Sequence, residues 1–310
     1  MRLYLAANRD GQTLQIAAAA LRGNPSVKLY LADTNAGHLH NGFKGARAPF
    51  PVLLSYFYFR DRDMIAVLDK IFETHVGIDL FADSGAFSAH SLGQPLRVEA
   101  YAEWLNKWKH LFTVYANLDV KGDVDAGLKN QRYLESQGLS PLPVFHGGEP
   151  LSVLEDLIQE YPYIALGGLA GETRSGSREM WAFVIKCFKM AKGRAVFHGF
   201  GMTNWKLMSS LPWYSCDSSS WGQGFRFGAV PIFVPLLGKF DKVKVGDHAS
   251  SKKHARVIRA YGFDPQDFLD RTRYHSRFAA GLSAASYCAA ARYLTKRHGE
   301  ITIPKREAER

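Results

Sequence analysis

The chain has 310 residues, 46% of them hydrophobic, with a formal net charge of +10 and a pI near 9.4. That length and apolar content allow one large domain with a full core, or one domain with an appendage, and no apolar run is long enough to span a bilayer. The three cysteines, Cys187, Cys216 and Cys288, are odd in number and far apart, so nothing points to a disulfide framework, and the lack of a Cys-x-x-Cys pair argues against a structural zinc site built on thiolates.

The opening Met1-Arg2-Leu3-Tyr4-Leu5-Ala6-Ala7 soon meets Asn8-Arg9-Asp10 and is expected to be a strand, Arg2 to Ala7, rather than a signal peptide, which places the protein in the cytoplasm. Gln12 to Leu21 is alanine-rich and helical in pattern. Val27 to Ala32 is β-type, ended by Asp33-Thr34-Asn35-Ala36-Gly37. Gly37 to Phe50, with His38, His40, Lys44 and Arg47, has the character of a loop or a flap over a site. A regular rhythm then begins. Strands are expected at Val52 to Phe59, Ile78 to Ala82, Val114 to Leu118, Leu142 to Phe145, Tyr163 to Leu166, Ala195 to Phe197 and Trp213 to Cys216. Between them fall helical patterns at Asp61 to His75, Val98 to Phe112, Ala126 to Gln137, Leu151 to Tyr161, Arg178 to Ala191 and Thr203 to Ser210.

Eight β segments alternating with helices imply a parallel sheet, and eight such units predict a (β/α)8 TIM barrel over residues 1–225, with a doubly wound sheet as the alternative. No glycine turn reads Gly-x-Gly-x-x-Gly in a βαβ setting. After Trp221 the pattern changes. Phe225 to Lys239 is apolar, Asp267 to Arg271 is short, and Tyr274 to Lys296 is an alanine-rich helix expected to pack on the barrel within a C-terminal extension, 226–310. This extension is basic: Lys239, Lys242, Lys244, Lys252, Lys253, Arg256 and Arg259 cluster around His248 and His254, and Arg271, Arg273, Arg277, Arg292, Lys296 and Arg297 follow. Such clustering predicts a polyanionic partner and puts the nucleic-acid face in the C-terminal third.

In a (β/α)8 barrel the working residues sit at the C-terminal ends of the strands. Those ends here read Asp83-Ser84-Gly85-Ala86-Phe87, Asn117-Leu118-Asp119, His146-Gly147-Gly148-Glu149, Gly167-Gly168-Leu169-Ala170-Gly171-Glu172, His198-Gly199-Phe200-Gly201-Met202 and Cys216-Asp217. Three aspartates on separate strand ends can share a pocket, and two carboxyls in unlike environments can divide nucleophile and acid/base duties. Paired glycines let backbone N–H groups approach a flat ligand. Each aspartate also has a plainer reading as a cap or turn residue, and each strand-end histidine as a hydrogen-bonded structural group.

The order of these motifs resembles the tRNA-guanine transglycosylase superfamily over roughly Ile78 to Trp221. The resemblance implies a (β/α)8 pentosyltransferase that exchanges guanine for a 7-deazaguanine base. It implies Asp217 as the nucleophile on C1′ and Asp83 as the acid/base, with Ser84 and Gly85 in the same motif. Asp119 would hold the purine's amino-and-imino edge, and Gly167, Gly168 and Leu169 the strip that contacts the base. His146, before Gly147 and Gly148, stands where the family has glutamine. The family's cluster of three cysteines and a histidine after the nucleophile has no counterpart here, so the resemblance is closer to the paralogues of phages and bacterial modification clusters that insert 7-deazaguanines into DNA. It implies no zinc and no other cofactor, a free 7-deazaguanine base as co-substrate, and a helper protein or a homodimer as compatible partners. The target base must leave the stack, and Phe87, Tyr115, Phe200 and Met202 are candidates to sandwich it; His198 is a further base-site candidate. Three other readings remain: action on tRNA, a metal-dependent barrel hydrolase using His146, His198 and Asp217, and a non-catalytic nucleic-acid-binding paralogue.

Overall fold

Strands in this chain alternate inward and outward with period two, and that alternation builds both the core and the site. The computed structural model describes residues 26–46, 50–72, 79–169, 177–202, 204–222, 227–269 and 276–305. The expected strand Arg2–Ala7, the helix Gln12–Leu21, Ala170-Gly171-Glu172, Arg271 and Arg273 lie outside the described residues. In chain order the elements are β1 (Lys28–Ala32), α1 (Ala36–Ala46), β2 (Val52–Ser55), α2 (Tyr56–Phe59), α3 (Met64–Ile71), β3 (Leu80–Asp83), α4 (Ala86–Ser91), α5 (Val98–Trp108), β4 (Val114–Tyr115), α6 (Val124–Ser136), β5 (Val144–His146), α7 (Leu151–Glu160), β6 (Tyr163–Gly167), α8 (Arg178–Ala191), β7 (Val196–Gly199), α9 (Trp205–Ser210) and β8 (Ser215–Ser218). An antiparallel ribbon follows, β9 (Ala229–Val234) and β10 (Lys239–Lys244), then α10 (His248–Ala260), α11 (Gln266–Leu269) and α12 (Ser276–His298).

The first eight strands form one parallel sheet in the order β4-β3-β2-β1-β8-β7-β6-β5, so the first and last strands of the series are neighbours. The sheet is curled. One isolated parallel bridge joins Ala116, just after β4, to Leu142, just before β5; there the Asn117 N–H donates to the Leu142 carbonyl (2.9 Å) and the Leu142 N–H to the Tyr115 carbonyl (2.8 Å). Tyr30, Leu53, Phe81, Ala116, Leu142, Tyr163 and Ala165 pack together on the inner face, with Val144, Val196 and Tyr214 against them. Their sequence neighbours, such as Leu29, Leu31, Val52, Leu54, Ile164, Phe197 and Cys216, point outward into a second core shared with the helices.

The chain after β8 is built into that second core. α12 lies against α1, β1 and β9. Ser283 Oγ donates to the Trp221 carbonyl just past β8 (2.7 Å), and Thr295 Oγ1, near the other end of the helix, accepts the Val27 N–H just before β1 (3.1 Å). His298 meets the Ser209 carbonyl of α9 (3.0 Å). α12 therefore runs along α1 and reaches α9 through His298. A helix covered on nearly all sides shows no polar stripe, and Ala279 to Ala291 is buried throughout.

Two segments differ in kind from expectation. Gly37 to Phe50 is not a loop: Ala36–Ala46 is helical. Its glycines and histidines have poor intrinsic helix preference, but close packing overrides it; a Cβ at Gly42 would lie 3.1 Å from the Trp221 ring and 3.5 Å from Ala284. The aromatic run Tyr56–Phe59 does not extend β2 but turns into α2, because pairing with β3 ends at Ser55 opposite Asp83. Replacing Ala284 by leucine should overpack the α1–α12 contact and lower the unfolding free energy by about 2 kcal/mol, read by urea denaturation.

Candidate active site

Period two carries Phe81 inward and therefore Asp83 as well. By the same count β5 presents His146 after Val144, β6 presents Gly167 after Ala165, β7 presents His198 after Val196, and β8 presents Ser215 and Asp217 on either side of outward Cys216. Asp119 follows β4. The parallel direction of all these strands brings their C-terminal ends to one rim.

Asp83 and its two fellow carboxyls are close enough to repel. Burial, together with the negative charges of Asp119 and Asp217, pushes the Asp83 carboxyl up to about 7, against the opposing pull of the Ser55 hydroxyl and the Gly85 N–H. The Gly85 N–H donates to Asp83 Oδ2 (3.1 Å). Gly85 has φ of +79°, and a side chain there would overlap Ser55 and Phe57, so the turn after Asp83 is open only to glycine. Asp217 is nearly buried at 8% exposure, and its Oδ1 accepts the Gly201 N–H from the end of β7 (2.7 Å). Asp83 thus closes the turn into α4, as its plainer reading expects, whereas among the described residues Asp217 caps no helix. The Ser220 N–H turns instead to Ser218 Oγ (3.0 Å).

The second feature is a charged triad. His146 places Nε2 2.9 Å from Asp119 Oδ2 and Nδ1 3.1 Å from Glu149 Oε1, while Glu149 Oε2 accepts the His146 N–H (2.9 Å). Burial opposes the charged ring, but the bonds to Asp119 and Glu149 carry His146 up to about 9. It is an imidazolium at neutral pH. Gly167 lies under this ring: a Cβ there would overlap His146.

A third group stands behind Asp217. His198, fully buried, sets Nδ1 2.7 Å from Ser215 Oγ and Nε2 3.4 Å from Asp217 Oδ1, and the Tyr163 hydroxyl lies 2.6 Å from Ser215 Oγ. Phe81 and Phe200 pack on the His198 ring at 4.6 Å between centroids.

The structure thus brings Asp83, Asp119, His146, Gly167, His198 and Asp217 to one rim, with Gly147, Gly148 and Gly168 in exposed turns beside it and Phe87 exposed on α4. Other expected members lie elsewhere. Met202 and Leu169 are buried in the helix-facing core, Tyr115 points outward with its hydroxyl accepting the Ser140 N–H (2.7 Å), and Ser84 is buried with Oγ accepting the Ala86 N–H (3.4 Å). They occupy outward positions in the period-two count, or positions past it. The trio His146, His198 and Asp217 is divided: His146 is held by Asp119 and Glu149, His198 by Ser215. Among the described residues no group of three His, Cys, Asp or Glu side chains is disposed to hold a metal ion. Glu149, Ser215 and Tyr163 had no assigned role from sequence. Ser215 was readable two positions before Asp217 on the same face, and Glu149 three after His146. Asp33 at the end of β1 is likewise buried and pairs with His38 (3.3 Å), a residue expected in a flap and found on the first turn of α1.

No protein-family model matches the chain, and no curated protein matches it. Among solved structures it is similar to the carboxyl transferase domain of Rhizobium etli pyruvate carboxylase, determined with 3-hydroxypyruvate, with a TM-score of 0.44 and 12% identity over 87% of this chain. The chain spans 50% of that neighbour's length. A likeness this distant says nothing about chemistry. Among the described residues, no helix is long and apolar enough to cross a membrane.

His146 gains its partners on folding, so its folded pKa of about 9 stands above its ordinary 6.5. The stabilisation is fully present below pH 6.5 and is lost as pH rises through 9. The stability advantage of wild type over His146→Gln should therefore shrink by on the order of 2 kcal/mol between pH 6 and pH 9.5, measured by urea denaturation at both pH values.

Proposed function

We propose that the protein is a base-exchange glycosyltransferase that replaces guanine in DNA with a 7-deazaguanine. We infer with it that the curled sheet is a closed (β/α)8 barrel, a reading supported by the Ala116–Leu142 bridge and by an inner cluster fed from β1 to β7 and from Tyr214 just ahead of β8. The observation that carries the function is the unequal state of two carboxyls at one rim. Asp83, poised near 7, exchanges a proton at working pH, whereas Asp217 is anchored on one oxygen by the Gly201 N–H. Two carboxyls in surroundings this unlike serve as acid/base and nucleophile at an anomeric carbon.

In the first half-reaction Asp217 attacks C1′, the C1′–N bond breaks toward the base, and protonated Asp83 gives its proton to the departing guanine. In the second, the Asp83 carboxylate takes the proton of the incoming base as its nitrogen bonds C1′, and the Asp217–C1′ pair returns to the carboxylate. Asp119, whose Oδ2 is turned to His146, presents its other oxygen to the amino-and-imino edge of the base. The imidazolium takes the place of the family's glutamine amide and is a donor only.

Support for a polyanionic substrate comes from β10 and α10, where Lys239, Lys242, Lys244, Lys252, Lys253, Arg256 and Arg259 are all exposed; Lys253 is paired with Asp241 (2.7 Å). DNA rather than tRNA is favoured by the resemblance without the zinc cluster, and such a substrate places the enzyme in the cytoplasm, that of the host if the source is viral.

Incubation with guanine-containing DNA followed by denaturing mass spectrometry should show a glycosyl adduct on Asp217, absent in Asp217→Asn. An adduct formed with tRNA alone would replace the substrate; none with any nucleic acid would sink the reading. Asp83→Asn should lower exchange roughly 10²–10⁴-fold and remove the limb of the pH–rate profile near 7. Changing Lys252 to alanine should weaken DNA binding evenly across sequences and lower the salt slope of log K by about 1 for the phosphate it no longer neutralises, measured by titration at salt concentrations from about 50 mM to about 200 mM.

A further inference from the structure

The acid–base scheme leaves one buried group unused. His198 is fully buried, and its Nε2 has no hydrogen-bond partner although it lies 3.4 Å from Asp217 Oδ1. The protons of the chain behind it can be assigned. Among the described residues the Tyr163 hydroxyl has one partner, Ser215 Oγ at 2.6 Å, and a buried hydroxyl hydrogen left without an acceptor is costly. On that ground Tyr163 donates to Ser215, Ser215 donates to His198 Nδ1 at 2.7 Å, and the ring hydrogen falls on Nε2. That nitrogen lies beside Asp217 Oδ1, 3.4 Å away and short of a hydrogen bond before reaction, and Oδ1 is the oxygen already held by the Gly201 N–H at 2.7 Å. With the opposite proton order, the Nε2 lone pair would face the carboxylate.

We propose that His198 is a positioning residue for Asp217: it reserves Oδ1 as the held oxygen, leaves Oδ2 to attack C1′, and speeds departure of the sugar from Asp217. The inference rests on the reading of Asp217 as the glycosyl carrier. As Oδ2 bonds C1′, Oδ1 becomes the ester carbonyl and loses charge. When the incoming base displaces Oδ2, the electron pair of the C1′–Oδ2 bond returns to the carboxylate and spreads onto Oδ1, toward Gly201 and His198. Donors aimed where charge develops stabilise that step. They favour release over formation, because the free carboxylate is the state they hold best.

The test is adduct occupancy on Asp217 during steady-state exchange, read by denaturing mass spectrometry in wild type, His198→Leu and His198→Gln. His198→Leu should lower exchange about tenfold, less than the loss of an ideally placed oxyanion donor because the 3.4 Å contact is long, while adduct occupancy rises. His198→Gln, which keeps an amide N–H, should recover both. A fall in exchange with adduct falling in parallel would mark a merely structural role and overturn the proposal. Unchanged exchange and occupancy would do the same. Absence of adduct from wild type on every nucleic acid would overturn the glycosyl-transfer reading together with it. An assay independent of activity and of the variants' folding is 15N NMR of histidine-labelled wild type: the Nε2–H tautomer of His198 is expected, and the Nδ1–H tautomer would overturn the assignment.

Discussion

An imidazolium held between two carboxylates sets the charge of the whole rim. Asp83, Asp119 and Asp217 already repel enough, with burial, to bring Asp83 up to about 7. Glu149 would add a further negative charge. His146, bonded to Asp119 and Glu149 at once, neutralises one of those charges and fixes both partners in place. With a neutral ring, Asp119 and Glu149 would stand as uncompensated anions in a largely buried setting, and the pressure on Asp83 to stay protonated would grow. A carboxyl that never ionises can act as an acid in one half-reaction but not as a base in the next. In the proposed exchange, the use of Asp83 first as acid and then as base would depend on a side chain that takes part in neither half-reaction.

The fold delivers this balance through one repeated device. Parallel strands with period-two alternation send every second side chain to the inner face, and the last inward residue of each strand arrives at the same rim. Lower positions are filled by Tyr30, Phe81, Tyr163 and small partners, an apolar floor that excludes water beneath the carboxyls and so strengthens their mutual repulsion. Tyr163 and Ser215 are the exceptions in that floor. They are polar where the packing asks for apolar groups, and their hydroxyls pair with each other and with His198. A polar chain inside an apolar interior is costly unless each member is satisfied, and here only the last nitrogen, facing Asp217, is left over.

Much of the architecture is legible in the chain because the strands and helices between Val52 and Cys216 each bury one face against the sheet, and amphipathic periodicity records that burial. Helix Arg178–Ala191 matches its expected bounds to the residue. The rim aspartates are legible for the same reason, as acids ending apolar β segments. What escapes is structure fixed by contacts distant in sequence. α1 is helical because Trp221 and Ala284 pack against Gly42, and nothing within 36–46 announces it. α12 is covered on nearly all sides, so it carries no stripe to show which surface it joins, and the break in pattern after Trp221 reads as the start of an extension. The partners of His146 escape because a Gly-Gly turn reads as a ligand cradle, whereas the room left by Gly167 is taken by His146 itself.

The two histidines of the rim illustrate why residue type alone underdetermines chemistry. By sequence His146, His198 and Asp217 form a plausible ligand set. In the structure the two imidazoles have opposite surroundings: His146 is clasped by anions on both nitrogens and is cationic, whereas His198 is boxed by Phe81 and Phe200 and fed a hydrogen bond by Ser215. A metal ligand needs a nitrogen lone pair directed at the ion. His146 has both nitrogens on carboxylates, Asp119 and Glu149, and His198 has Nδ1 on Ser215. In the proposed reaction, where Asp217 would first surrender and then recover its charge, the same two side chains would divide between fixing net charge and directing one oxygen of a carboxylate.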